Sequence, residues 1–164
     1  MSSFLPTIIL RHRKENLKKC SLRGLELEKD LLFYTYPSHM PASLEGYVIL
    51  YLDDFPTPVL SKADVNYGLF FLDSTWNYET SMHKQVKNRY PLIYRSLPPN
   101  FVTAYPRKQT DCPDPDRGLA TVEALYIAYR ILERDPSHLL KHYYWKNEFL
   151  TKNAQAFELL EKSQ

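Results

Sequence analysis

The sequence predicts an α/β domain with a mostly parallel sheet flanked by helices, and three observations predict it. Short runs rich in β-branched and aromatic residues, PTIIL, GYVILYL and GLFFLD, are each bounded by turn formers. Longer stretches with helical spacing alternate with them, and that alternation is the pattern of parallel sheets. With 164 residues, the chain is long enough to bury a proper core in one domain, residues 1–164.

The elements follow in chain order. Pro6 to Leu10 reads as a short buried strand that runs into a basic loop, RHRKENLKKCSLRG, spanning residues 11–24. A helix is expected from Leu25 to about Phe33, and YTYPSHMPAS is a turn-rich connector. Gly46 to Leu52 is a strand closed by Asp53 and Asp54, and the two prolines of DDFPTPVLSKAD imply an irregular turn with a short edge segment. Gly68 to Asp73 is the next buried strand, with a helix after it through YETSMHKQVKN. Phe101 to Tyr105 is a further strand, followed by the proline-broken loop PRKQTDCPDPDRG. LATVEALYIAYRILE is an amphipathic helix with Val122, Leu125, Ala128, Tyr129 and Leu132 on its apolar face. Beyond Asp135-Pro136, one or two helices close the chain.

Composition excludes several function classes. No apolar run approaches the ~20 residues that span a bilayer, and the first residues carry their charges after the apolar run, unlike a secretory signal. The two cysteines, Cys20 and Cys112, have no CxxC spacing, so a reducing, cytoplasmic setting is expected and no zinc framework. The four glycines are isolated, which removes the dinucleotide-binding and phosphate-cradling glycine loops. His138 and His142 stand one helical turn apart without a glutamate between them, so an ordinary helix surface is preferred to a metal site. A net charge of +2 leaves nucleic-acid affinity to local basic clusters, and some of the 13 tyrosines are candidates for stacking on bases.

The stretch GLFFLDSTWN holds the most pointed signal, a buried strand that ends in Asp73 with Trp76 three residues later. Ligands of open α/β sheets bind beyond the carboxyl ends of the strands. Asp73 either caps the next helix while Trp76 fills the core, or Trp76 presents a flat face to a heterocycle or a cation while Asp73 supplies negative charge beside it.

Five segments then resemble one superfamily, which joins the small-subunit ribosomal RNA aminocarboxypropyltransferases to the DTW-domain RNA-modifying proteins. They are NLKKCS, VLSKAD, FFLDSTW, LATVEALYIA and YYWKNEFLTKN, in the family's order from about Lys18 to Asn153. Asn16-Leu17 and Lys62 depart from the family pattern, and Tyr105 with Arg107-Lys108 looks more like the DTW branch. The resemblance implies a SPOUT-like fold with a deep carboxy-terminal trefoil knot, in which residues 61–164 form the part that binds S-adenosylmethionine (SAM) and 1–60 an N-terminal α/β portion. It implies transfer of the 3-amino-3-carboxypropyl group of SAM to a uridine or pseudouridine nitrogen, with methylthioadenosine released and no metal required. By position, Leu50, Leu52 and Trp76 would line the methyl and adenosine pocket, and Leu72 would offer backbone groups to the ribose. Ser21 and Thr121 would hydrogen-bond SAM, and Phe101 and Leu119 would close the adenine slot. Asp73 would either take the uridine proton or orient SAM, and Glu123 would either cap its helix or touch the co-substrate.

Arg11, Arg13, Lys14, Lys18, Lys19 and Arg23, extended by Arg107 and Lys108, are the expected phosphate contacts. The RNA expected is ribosomal, with transfer RNA second, and the protein is expected to act in ribosome biogenesis as a monomer. A SPOUT-type RNA methyltransferase and a non-catalytic RNA-binding assembly factor are the alternatives.

Overall fold

The computed structural model describes residues 4–51, 57–106 and 118–163. Within them five strands form one sheet: β1 (Thr7–His12), β2 (Leu31–Tyr36), β3 (Tyr47–Leu50), β4 (Gly68–Asp73) and β5 (Tyr94–Arg95). The order is β2-β1-β4-β3-β5 and every pairing is parallel. The predicted α/β class and mostly parallel sheet are both present. β1 and β4 are buried at every position, as expected for inner parallel strands covered on both faces.

Period-two alternation divides the core between those faces. Ile9, Val48, Leu50, Leu69 and Phe71 face α2 (Thr121–Ile131), over which α3 (Lys146–Lys152) and α4 (Ala154–Lys162) pack. Ile8, Leu10, Ile49, Phe70 and Leu72 face α1 (Trp76–Arg89) through Met82, Val86 and Tyr90. α2 is buried at eight positions, so it is enclosed between layers instead of presenting one amphipathic face to water.

Three expectations are corrected. The helix expected from Leu25 to about Phe33 is a chain of tight turns, with Leu25 N bonded to Leu22 O and Glu28 N to Leu25 O. It leads into β2, whose sequence LLFYTY favours pairing with β1 once that edge is available. Phe101 to Tyr105 forms no ladder. Its backbone is satisfied by side chains instead: Asn153 bonds Val102 at both N and O (2.8 Å each), and Glu123 accepts from Ala104 N at 2.9 Å. The 138–145 segment is turns, not a helix surface.

Gly24 joins the basic loop to that segment. It holds φ +91°, and a Cβ there would stand 2.5 Å from the His142 ring. Gly24→Ala is therefore expected to cost about 2 kcal/mol through left-handed strain and the clash. The check is a lower urea midpoint at unchanged slope.

Candidate functional site

Parallel strands of matched register bring their carboxyl ends to one level. Arg11 of β1 and Asp73 of β4 are register partners. The chain leaves β1 towards β2 on one side and leaves β4 towards β5 on the other. The two connections therefore diverge at this point, which opens a crevice where α/β proteins place ligands. By alternation, Arg11, Asp73 and Leu50 all lie on the α2 face. α2 runs antiparallel to the strands: Thr121 at its start meets Asp73, and Tyr129 near its end meets Thr7. The positive end of the helix dipole thus points to the crevice.

Asp73 is the hub. Its Oδ2 accepts from Arg11 Nε at 3.1 Å and from Cys20 Sγ at 3.2 Å, and its Oδ1 accepts from Thr121 Oγ1 at 3.1 Å. Asp73 is 4 % exposed and Arg11 9 %, so this is a buried ion pair tying together β1, β4, the basic loop and α2. Burial first, and the neighbouring Asp73 carboxylate second, push the Cys20 thiol's pKa up against the pull of Arg11. The thiol therefore stays protonated and serves as a donor, not a nucleophile.

Asp73 does not cap α1. The N-cap there is Thr75, with no side-chain cap bond. At α2 the N-cap residue is Ala120, which has no side-chain acceptor, and the basic loop makes good the lack. Ser21 Oγ accepts from Val122 N at 3.2 Å, while Glu123 reaches back to Ala120 N at 2.8 Å. Glu123 is 0 % exposed. It also accepts from Thr103 Oγ1 (2.6 Å), Ala104 N (2.9 Å) and Tyr143 OH (2.9 Å). Of its two expected roles, the structural one holds.

The remaining expected site residues fall as follows. Leu50 and Phe101 are buried in the α2-side core, and Phe101 packs on Phe157 with ring centroids 4.9 Å apart. Leu119 is half-buried against the same core. Leu72 points its side chain to the α1 face, which leaves only its backbone to the crevice. Trp76 is the first residue of α1, and its side chain lies outside the described residues, as do Leu52, Arg107 and Lys108.

Arg13, Lys14, Lys18, Lys19 and Arg23 are exposed. Arg11 is not one of them, which corrects its expected role as a phosphate contact. Its side chain lies over the Phe33 ring at 4.8 Å and bonds Asp73, Cys20 and Glu26. The sequence signal for this was present, because TIILRH continues the strand through Arg11 and makes it a neighbour of β4's terminal aspartate. His138 and His142 serve different partners: His138 bonds Asp30 at 2.9 Å and His142 packs on Gly24. Among the described residues no helix is long and apolar enough to cross a membrane, and no cluster of three metal-ligating side chains exists.

No family model matches the chain and no curated protein matches it. Among solved structures it is similar to the SAM-dependent rRNA:acp-transferase Tsr3 from Vulcanisaeta distributa, with a TM-score of 0.70 and 19 % identity. The likeness covers 98 % of this chain and 85 % of that one. The protein thus shares, over nearly its whole length, the fold of an aminocarboxypropyltransferase of the same kind that its sequence motifs resemble.

Proposed function

We propose that the protein is a SAM-dependent RNA aminocarboxypropyltransferase. The observation that carries the reading is the Asp73–Arg11–Thr121 cluster, seated where β1 and β4 diverge in a chain with the fold of Tsr3. The substrate in this reading is a uridine or pseudouridine of structured RNA, with small-subunit rRNA favoured over tRNA. The SPOUT-like assignment, the carboxy-terminal knot, a monomeric state, a cytoplasmic location and a role in ribosome biogenesis belong to the same reading.

The residues around the crevice suit such a co-substrate. Leu50 and Leu119 supply apolar surface on the α2 side, and Thr121 stands at the helix start with its hydroxyl fixed by Asp73. In the reaction the uridine nitrogen bonds to the first carbon of the aminocarboxypropyl arm as that carbon's bond to sulfur breaks. The bonding pair stays on sulfur and leaves with methylthioadenosine, and the nitrogen's proton passes to solvent or to a nearby base.

The chain's contribution is mostly positioning. Asp73 already holds three donors, and its charge is matched by Arg11. That favours orienting the α2 start over proton abstraction. The exposed basic loop residues Arg13, Lys14, Lys18, Lys19 and Arg23 would guide phosphates without reading sequence.

The test is incubation with SAM labelled in its carboxypropyl carbons, together with ribosomal and transfer RNA pools. Label is expected in the ribosomal pool, and label in the S-methyl group is expected to leave with methylthioadenosine. Methyl label in RNA would transfer the reading to a methyltransferase, and no SAM heat by calorimetry would transfer it to a non-catalytic RNA-binding factor. Trp76→Ala is expected to weaken SAM binding severely, whereas charge reversal at Lys18 and Lys19 spares SAM binding and cuts RNA turnover.

A further inference from the structure

Tyr144 is 86 % exposed, an unusual position for a ring that most folds half-bury. It stands edge-on to Trp145, centroids 5.0 Å apart, and Trp145 stands edge-on to Tyr105 at 5.1 Å. Trp145 and Tyr105 are half-buried, which makes them a fixed base for the outer ring. The Tyr105 hydroxyl donates to the Lys19 carbonyl at 2.6 Å. Gly24 seats the other end of the basic loop on His142, two residues before Tyr144. The aromatic cluster and the lysine-rich loop are therefore one surface, fastened at two places.

Among the described residues its exposed charge is mainly positive, and Glu15 is the single carboxylate of the basic loop. Lys18, Lys19 and Arg23 are exposed and make no ion pair among the described residues. The carboxylates Glu26, Glu28 and Glu148 of the neighbouring segments are engaged by Arg11, Lys141 and Lys152. The surface also adjoins the crevice. Cys20, next to Lys19, donates to Asp73, and Thr103, two residues before Tyr105, bonds Glu123 in the first turn of α2.

We infer that Tyr144, Trp145 and Tyr105, with Lys18, Lys19 and Arg23, form a stacking platform for unpaired nucleotides that flank the modified base. The inference rests on the proposed action on RNA and narrows it to a loop or single-stranded region. Aromatic faces bind bases whose own faces are uncovered, while cations hold the backbone between them. A duplex hides its base faces and would meet only Lys18, Lys19 and Arg23.

Fluorescence anisotropy compares a uridine-containing single strand of about ten nucleotides with a duplex of the same sequence. The wild type is expected to prefer the single strand. Tyr144→Ala is expected to weaken single-strand binding about tenfold and leave duplex binding unchanged, while Tyr144→Phe stays within about twofold of wild type. An exposed ring carries little of the fold, so unchanged thermal unfolding accompanies the effect. Equal wild-type affinity for both RNAs, unchanged single-strand affinity in Tyr144→Ala, or no RNA binding at all would overturn the platform. The last result would make the patch a protein contact. SAM calorimetry on the same samples separates the two ideas: no SAM binding with the tenfold loss intact removes the transferase reading and keeps the platform.

Discussion

Asp73→Ala is expected to destabilise the fold by about 3 kcal/mol and to abolish aminocarboxypropyl transfer. The stability loss follows from burial. Arg11 would keep Glu26 at 3.4 Å but lose the close, buried partner at 3.1 Å, and breaking a buried pair by removing one member costs about 3–5 kcal/mol. The lower end applies because Glu26 is partly solvated. Urea unfolding measures the loss. Asp73→Asn separates the possible roles in catalysis. An amide can keep its oxygen on Arg11 and turn its NH₂ to the Thr121 hydroxyl, which rotates to accept, so a positioning role leaves a measurable rate. A general base at this position would instead lose about 10²–10⁴-fold, and the pH–rate profile would lose its acidic limb. A fully active, fully stable Asp73→Ala protein would remove the crevice from consideration.

Glu123→Ala is expected to be the more damaging change to the fold, at about 4 kcal/mol or more. Each carboxylate oxygen serves one hydroxyl and one backbone amide: Oε1 takes Thr103 and Ala120, and Oε2 takes Ala104 and Tyr143. Removing the carboxylate leaves these buried donors unmatched, at about 1–3 kcal/mol each where nothing relaxes. Glu123→Gln is not expected to rescue the protein. Whichever way the amide turns, its NH₂ faces one hydroxyl, which can rotate, and one backbone N–H, which cannot. A fall in melting temperature of roughly 10 °C is expected for the alanine variant, at about 2–4 °C per kcal/mol for a chain of this size. Wild-type melting of Glu123→Gln with weakened SAM binding would instead make Glu123 a co-substrate contact.

The two carboxylates show how far the residues alone could be read. Asp73 stood out because an apolar run stopped at a charge, and the run was dense enough to announce an inner parallel strand. Glu123 sat in an ordinary first turn of a helix, and nothing in its neighbours signalled the four donors that converge on it from segments 101–105, 120 and 143. The 101–105 segment misled for a related reason. Its composition is that of a strand, but the partners of its backbone are the side chains of Glu123 and Asn153, which lie far along the chain.

Local chemistry, then, determined the α/β class, the buried β1 and β4, α1, α2 and the closing helices, because strand and helix periodicities are written in neighbouring residues. The same residues carried the motifs that resemble the aminocarboxypropyltransferases. Tertiary structure alone decided that Arg11 turns inward to Asp73 instead of outward to solvent, and that residues 25–30 are turns leading into β2. It also decided that Ser21 caps a helix a hundred residues away and that the Tyr144 cluster joins the lysine loop. Each of these depends on which parallel strands become neighbours and at what register. That choice is made by burial summed over the whole sheet, so no single segment can express it.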